Sequence, residues 1–137
     1  MNKKIIVAIC LSFICQPILA ETCPSVATIK THALNDWKIY DSDDNKPLSA
    51  KRLALYKSNI EEFTLAEWTN TPSHSSIQCY YRDKNGSTLE AYLTKNNLVI
   101  DREKKYWYEV SGAMHCAADP DLCQFQKNNL NQQLARK

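Results

Sequence analysis

The chain contains 137 residues, with 17 Lys and Arg against 15 Asp and Glu, and only two glycines. Two glycines cannot form the glycine-rich loops that hold phosphates in nucleotide-binding proteins. Both excess positive charges are accounted for by Lys3 and Lys4, so residues 21–137 carry 15 charges of each sign. A segment without net charge has no long-range attraction for nucleic acid or for an anionic membrane surface. The composition therefore predicts one globular domain and no nucleic-acid partner.

The first 20 residues have the pattern of an export signal. Lys3-Lys4 precede an apolar run over residues 5–15, which is too short to cross a hydrocarbon layer of ~30 Å as a helix, and Ala20 offers a small residue for cleavage. We therefore expect residues 1–20 to be a signal peptide and residues 21–137 to be a single small disulfide-stabilised domain. No integral membrane segment is expected to remain after cleavage. The predicted location is the periplasm or the extracellular medium of a bacterium.

Six cysteines are present, and two of them lie in the predicted signal peptide. An even number in an oxidising compartment predicts two disulfides among the four that remain, which are Cys23, Cys79, Cys116 and Cys123. We favour Cys116–Cys123 with Cys23–Cys79, because the Pro-containing stretch between the last two cysteines can fold back. The alternative pairs Cys79 with Cys116 across neighbouring strands and Cys23 with Cys123 between the ends.

The first half of the domain predicts helices and one strand. Val26, Ile29 and Ala33 have helical spacing after Cys23-Pro24, and residues 37–40 alternate as in a strand before turn residues at 41–47. Residues 49–62 are ambiguous. Ser49 could cap a helix there, and an apolar stripe fits one, but alternation around Leu53 also fits a strand. We favour the helix. The stripe comprises Leu53, Tyr56, Ile60 and Phe63.

The second half predicts strands. Asn85-Gly86 between two β-rich arms is a strong hairpin signal, because both residues tolerate positive φ. Centring the turn there predicts three cross-strand pairs: Arg82 with Leu89, Tyr80 with Ala91 and Cys79 with Tyr92. Further strands are expected at 63–68, 98–100 and 106–110. A terminal helix is expected from Asp119-Pro120, with Leu122, Phe125, Leu130 and Leu134 as its apolar contacts. The predicted fold class is α+β, an antiparallel β-sheet meander with flanking short helices and two disulfides.

The residues that could carry chemistry are few. His115-Cys116 with Cys123 does not have the spacing of zinc ligands, and the thiolates would compete with disulfide formation. We therefore predict no metal and no cofactor. A small hydrolase with His74 or His115 as its base is the least favoured hypothesis, because a catalytic triad is defined by geometry that sequence does not give.

Aromatic residues are dense along the predicted strands. Neighbours on a strand face opposite ways, so Tyr80 and Tyr81 cannot both lie in the core, and Trp107 faces away from Tyr108. We expect one sheet face to present aromatic side chains to a partner, as Tyr and Trp often do at binding surfaces. The candidate binding residues are Tyr81, Trp107 and Tyr108. A helix that covers this face is the more ordinary explanation of the same pattern.

Three motifs together carry a resemblance: the opening Cys23-Pro24, the strand Ile77–Tyr81 with its Cys-Tyr-Tyr, and the closing Cys116 and Cys123-Gln124-Phe125. On these the chain resembles an uncharacterised family of small Sec-exported, disulfide-containing proteins of Legionella-type gamma-proteobacteria. The resemblance implies export and disulfides, and it implies no catalytic residue. Its association with pathogens raises the further hypothesis of a virulence-associated secreted factor.

The predicted function is that of a secreted or periplasmic binding protein without enzymatic activity. It would use an aromatic sheet face to contact a protein or glycan partner. The main alternative is a periplasmic inhibitor of a hydrolase, which would present the same kind of surface.

Overall fold

The computed structural model describes residues 19–129 of the chain. Apart from Leu19 and Ala20, the predicted signal peptide lies outside this range, as do Leu130 and Leu134 of the predicted terminal helix. The described residues form a mostly antiparallel sheet with two short helices and two disulfides, so the predicted α+β class is confirmed.

The two helices are α1 (Val26–Thr31) and α2 (Ala50–Asn59). Each begins after a serine whose hydroxyl accepts a hydrogen bond from a backbone N–H three residues ahead. Ser25 Oγ accepts from Thr28 N at 3.1 Å, and Ser49 Oγ accepts from Arg52 N at 3.3 Å. Such caps contribute about 1 kcal/mol each. The helix favoured over the strand at residues 49–62 is confirmed. Neither helix in the described part of the chain is long and apolar enough to cross a membrane.

Six strands form one sheet in the order β1-β4-β3-β2-β7-β6, and all neighbours are antiparallel. Their bounds are β1 (Lys38–Asp41), β2 (Glu62–Asn70), β3 (Ser75–Arg82), β4 (Thr88–Asn96), β6 (Tyr108–Val110) and β7 (Ala113–Cys116). Two short strands, β5 (Leu98–Val99) and β8 (Gln126–Lys127), pair separately. The meander proper is β2-β3-β4. Strand β1 adds beside β4, and the β6–β7 hairpin returns to pair with β2.

The predicted β3–β4 hairpin is present, but its predicted register is wrong by one residue. Asp83 Oδ1 accepts hydrogen bonds from the N–H groups of Asn85 (2.8 Å) and Ser87 (3.0 Å), and Gly86 supplies a φ of 82°. An irregularity between Tyr80 and Arg82 then shifts the pairing of the two strands. The alternation of apolar and polar residues in the sequence does not encode such an irregularity. The observed pairs are Arg82 with Thr88, Tyr80 with Tyr92 and Cys79 with Leu93.

The terminal helix predicted from Asp119 is wrong within the described residues. Only a 3-10 turn forms, at Pro120–Leu122, and β8 follows it. Two constraints hold the chain extended there: Cys123 is bonded to Cys116, and Phe125 exchanges two backbone hydrogen bonds with Glu21, at 2.7 and 2.9 Å. Tertiary contacts therefore override the helical start signal.

The core lies on one side of the sheet, which we call the inner face. Sheet residues buried there include Ile39, Ala66, Trp68, Ile77, Cys79, Tyr81, Leu93, Met114 and Cys116. Both disulfides belong to this core, and their pairing is the favoured one: Cys23–Cys79, separated by 56 residues, and Cys116–Cys123, separated by 7. In the chain-entropy model these loops correspond to about 4 and about 2.5 kcal/mol. The first bridge thus anchors the segment before α1 to the centre of the sheet.

Candidate functional site on the outer face of the sheet

The opposite side of the sheet, here called the outer face, carries polar and tyrosine side chains. Helix α1 begins three residues after Cys23, which is bonded to Cys79 on the inner face. Helix α2 is joined to the inner side by the ion pair between Arg52 and the buried carboxylate of Asp41. Both helices therefore belong to the inner side.

A single row of side chains crosses the outer face with one residue from each of the six strands. The register pairs them in turn, from Lys38 on β1 through Thr94, Gln78, Glu67 and His115 to Tyr108 on β6. We call these six residues the polar row. At ~4.8 Å between strands, five spacings make the row about 24 Å long. The outer face therefore offers a long line of polar groups.

Three tyrosines form the neighbouring row on β1, β4 and β3. Tyr92 lies between Tyr40 and Tyr80, with ring centroids 6.2 and 5.6 Å away. The Tyr92 hydroxyl donates to Asn45 Oδ1 at 2.8 Å, and the Tyr80 hydroxyl donates to Gln78 Oε1 at 2.7 Å. Burial raises the pKa of both tyrosines, and the Glu67 carboxylate adds to the shift. Both phenols therefore stay protonated and act as fixed donors at neutral pH.

The centre of the polar row holds a hydrogen-bonded acid and base. His115 Nε2 lies 2.7 Å from Glu67 Oε2, and the Tyr108 ring packs against the imidazole edge-to-face at 6.1 Å. Both side chains of the pair are about one-fifth exposed. A partly buried pair of this kind fixes the orientation of the imidazole at the surface.

A concavity of about 740 Å³, which we call the outer groove, opens over the end of this face. The floor consists of outer-face side chains from β1, β3 and β4, including Lys38, Tyr40, Gln78, Tyr92 and Thr94. The rim is formed by His74, by Asn45 and by residues 127–129, which are the last residue of β8 and the two that follow it. The volume is typical of a ligand site, but the lining is more polar than that of most small-molecule pockets.

The comparison with known proteins decides the family. A family described as a protein of unknown function (DUF3757) matches residues 18–126, which include all four bridged cysteines and the whole six-stranded sheet. The chain belongs to this family. No curated protein and no solved structure matches the chain significantly. Within the DUF3757 fold of this chain, the functional site must therefore be inferred from its own side chains.

The structure places the three predicted binding residues in different environments. Tyr81 is 0% exposed, and its hydroxyl donates to Pro24 O at 2.6 Å. Trp107 is 5% exposed, and its indole N–H donates to Gln124 O at 3.3 Å. Tyr108 is 48% exposed and ends the polar row. The expectation that Tyr81 faces outward is thus wrong, and Trp107 also lies in the core, so Tyr108 alone of the three candidates has an exposed side chain.

Besides Tyr108, the outer face carries Tyr40, Tyr92 and Tyr80, and the sequence contained the signal that identifies Tyr80. Cys79 forms a disulfide, so its side chain points into the core. Its neighbours Gln78 and Tyr80 must then point outward, and Tyr81 must point inward again. The same parity places Thr94 outward beside the buried Leu93.

The two histidines named as candidate bases have different kinds of hydrogen-bond partner. Among residues 19–129, His115 is hydrogen-bonded to a carboxylate, whereas His74 contacts only the hydroxyls of Thr71 (3.2 Å) and Ser73 (3.3 Å). The components of a serine–histidine–carboxylate arrangement are therefore divided between two histidines, and neither has both partners.

Proposed function

We propose that this DUF3757 protein is an exported binding protein without enzymatic activity, and that it contacts its partner with the outer face. The observation that carries the proposal is the polar row together with the outer groove. The hydrophobic core packs against the other side of the sheet, so it does not cover these polar groups. The two disulfides fit an oxidising, non-cytoplasmic compartment.

The surface can be tested by blocking it. Thr94→Trp puts a bulky neutral side chain on the floor of the outer groove, whereas Ala54→Trp puts the same side chain on an exposed position of α2. Both immobilised variants and the wild type would be exposed to envelope extract and to culture medium. We expect Thr94→Trp to retain at least tenfold less of a specifically bound component, and Ala54→Trp to behave as wild type. Equal retention by both folded variants would refute the outer face as the binding surface.

Export can be tested by fractionation with intact-mass measurement. We expect the species in the periplasm or the medium to have the mass of residues 21–137 less four hydrogens, with no thiol open to alkylation. A full-length, reduced chain confined to the cytoplasm would contradict the proposed compartment.

A hydrolase inhibitor is the second candidate, and the β6–β7 hairpin favours it. Ser111 and Gly112 have φ values of 49° and 85°, as in the two-residue turns that close tight hairpins. The adjoining strand exposes Tyr108 and Val110 at the edge of the sheet. A short projecting turn of this kind could enter an enzyme cleft. The inhibitor hypothesis predicts that the protein inhibits its target enzyme stoichiometrically and without turnover. Replacing Ser111 by Trp should abolish this inhibition.

A further inference from the structure

We propose that the outer groove binds a segment of an acidic glycan, meaning a polysaccharide whose sugar rings carry carboxylates. The inference rests on the proposed function, since it names the ligand class for the same face. Three features of the lining lead to it: a half-buried tyrosine ring, amide and hydroxyl groups without a hydrogen-bond partner among residues 19–129, and two lysines without a counter-ion in that range.

The uncharged lining side chains retain unused hydrogen-bonding capacity. Gln78 accepts from Tyr80 through Oε1, and within residues 19–129 its Nε2 group has no hydrogen-bond partner. In the same range, the side chains of Thr94, Asn96 and Asn128 form no hydrogen bond. Amides and hydroxyls each donate and accept. A ligand dense in hydroxyl groups, such as a sugar chain, matches this alternation of donors and acceptors.

The aromatic content of the groove also suits a sugar better than a protein. The Tyr40 ring packs edge-to-face on Tyr92 and remains partly exposed to the groove. Its apolar face can stack on the C–H face of a pyranose ring. Protein partners are usually held by buried apolar anchors seated in pockets. Of the residues that the structure describes, aromatic side chains contribute the only large apolar groups in this lining.

The lysines of the groove are the reason for proposing that the glycan carries carboxylates. Lys95 in the lining already forms ion pairs, because its Nζ lies 2.5 Å from Glu21 Oε2 and 4.0 Å from Asp36 Oδ2. Lys38 and Lys127 also line the groove, and neither forms an ion pair among residues 19–129. Two free ammonium groups favour a ligand with spaced carboxylates. A nucleic acid carries a phosphate on every nucleotide and is normally held by a more strongly basic surface.

The test is calorimetric titration of the full mature chain with alginate hexasaccharide, in which every ring bears a carboxylate. Neutral cellohexaose and a short oligothymidylate are the comparison ligands. The variant Lys38→Gln/Lys127→Gln is matched by Lys51→Gln/Lys104→Gln, which removes the same charge at exposed positions outside the groove. We expect alginate to bind and cellohexaose to bind at least fivefold more weakly. The groove variant should weaken alginate binding about five- to tenfold, as two surface charge contacts permit, and the control variant should not.

Raising NaCl from about 0.05 to about 0.5 M should also weaken alginate binding to the wild type, because salt screens exposed charges. Tighter binding of oligothymidylate than of alginate, or equal losses in both double variants, would overturn the acidic-glycan proposal. No response to any sugar, while Thr94→Trp still abolishes retention of another component, would overturn the ligand class and leave the proposed function standing. If Thr94→Trp also changes nothing, both proposals fail.

Discussion

The two faces of the sheet are built from adjacent residues of the same strands, yet they differ in almost every property. Leu93 and Cys79 on the inner face are completely buried among apolar groups and a disulfide, whereas their neighbours Thr94 and Gln78 line an open polar groove. Alternation on a pleated strand is the physical reason, because successive side chains point to opposite sides. The inner face therefore packs against the hydrophobic core, and the outer face carries the groove that we propose for recognition.

The largest expected effect is on the inner face, at the disulfides. Replacing Cys23 and Cys79 together by Ala should lower the free energy of unfolding by about 4 kcal/mol, and replacing Cys116 and Cys123 by about 2.5 kcal/mol, because the first bridge closes the longer loop. Denaturant unfolding of both double variants measures this. Equal losses would show that loop length does not set the contribution.

A matched pair on β4 compares the two faces directly. Leu93→Ala opens a cavity in the core and should cost about 3 kcal/mol of unfolding free energy, whereas Thr94→Ala should change it by less than about 0.5 kcal/mol. Thermal and denaturant unfolding of the two variants provide the measurement. A comparable loss in Thr94→Ala would mean that the outer face also contributes to the core.

Two buried tyrosines sharpen the description of the inner face. Tyr81 donates its hydroxyl hydrogen bond to Pro24 O, whereas the Tyr56 hydroxyl is buried without a partner among the described residues. Tyr81→Phe should therefore lower the unfolding free energy by about 1 kcal/mol, while Tyr56→Phe should leave it unchanged or raise it. The two variants differ only in which hydroxyl is removed, so each is the control for the other. Destabilisation by Tyr56→Phe alone would indicate a partner for that hydroxyl.

The smallest effect concerns the buried carboxylate at the edge of the inner face. The hydrogen bond from the Asp43 N–H, together with the Arg52 guanidinium, lowers the pKa of Asp41 below its usual value, although burial acts in the opposite direction. A lowered folded-state pKa contributes stability at neutral pH that is lost as the pH falls below about 4. Asp41→Asn should remove this part of the acid dependence, measured as unfolding free energy between about pH 6 and about pH 2. Parallel pH profiles of the unfolding free energy for wild type and variant would contradict the assignment of this acid dependence to Asp41.

The predicted elements that held are those with a local physical cause. Ser25 and Ser49 cap the two helices, and Asp83 with Gly86 closes the predicted hairpin. The favoured disulfide pairing is present as well. The predictions that failed depended on distant contacts. The hairpin register shifted at an irregularity, and the segment after Asp119 became extended because of Cys116 and Glu21.

The candidate site was only partly predictable. Sequence indicated that tyrosines must occupy both sides of the sheet, but it assigned Tyr81 outward. The parity relation to the bonded Cys79 would have selected Tyr80 instead. The polar row could not be predicted from the sequence. It depends on which residues of six strands stand side by side, and two of the five neighbouring pairs, β1–β4 and β2–β7, join strands that are not consecutive in the chain.

By itself, the sequence determined the fold class, the Ser49 cap of α2, the hairpin turn and the four bridging cysteines, because each depends on side-chain chemistry within a few residues or on a simple pairing of thiols. The tertiary structure alone decided how the strands are ordered, which residues stand side by side on the outer face, and how Lys38 and Lys127 come to line one groove. Those features are set by strand register and by packing between residues far apart in the chain, and a local pattern does not contain them.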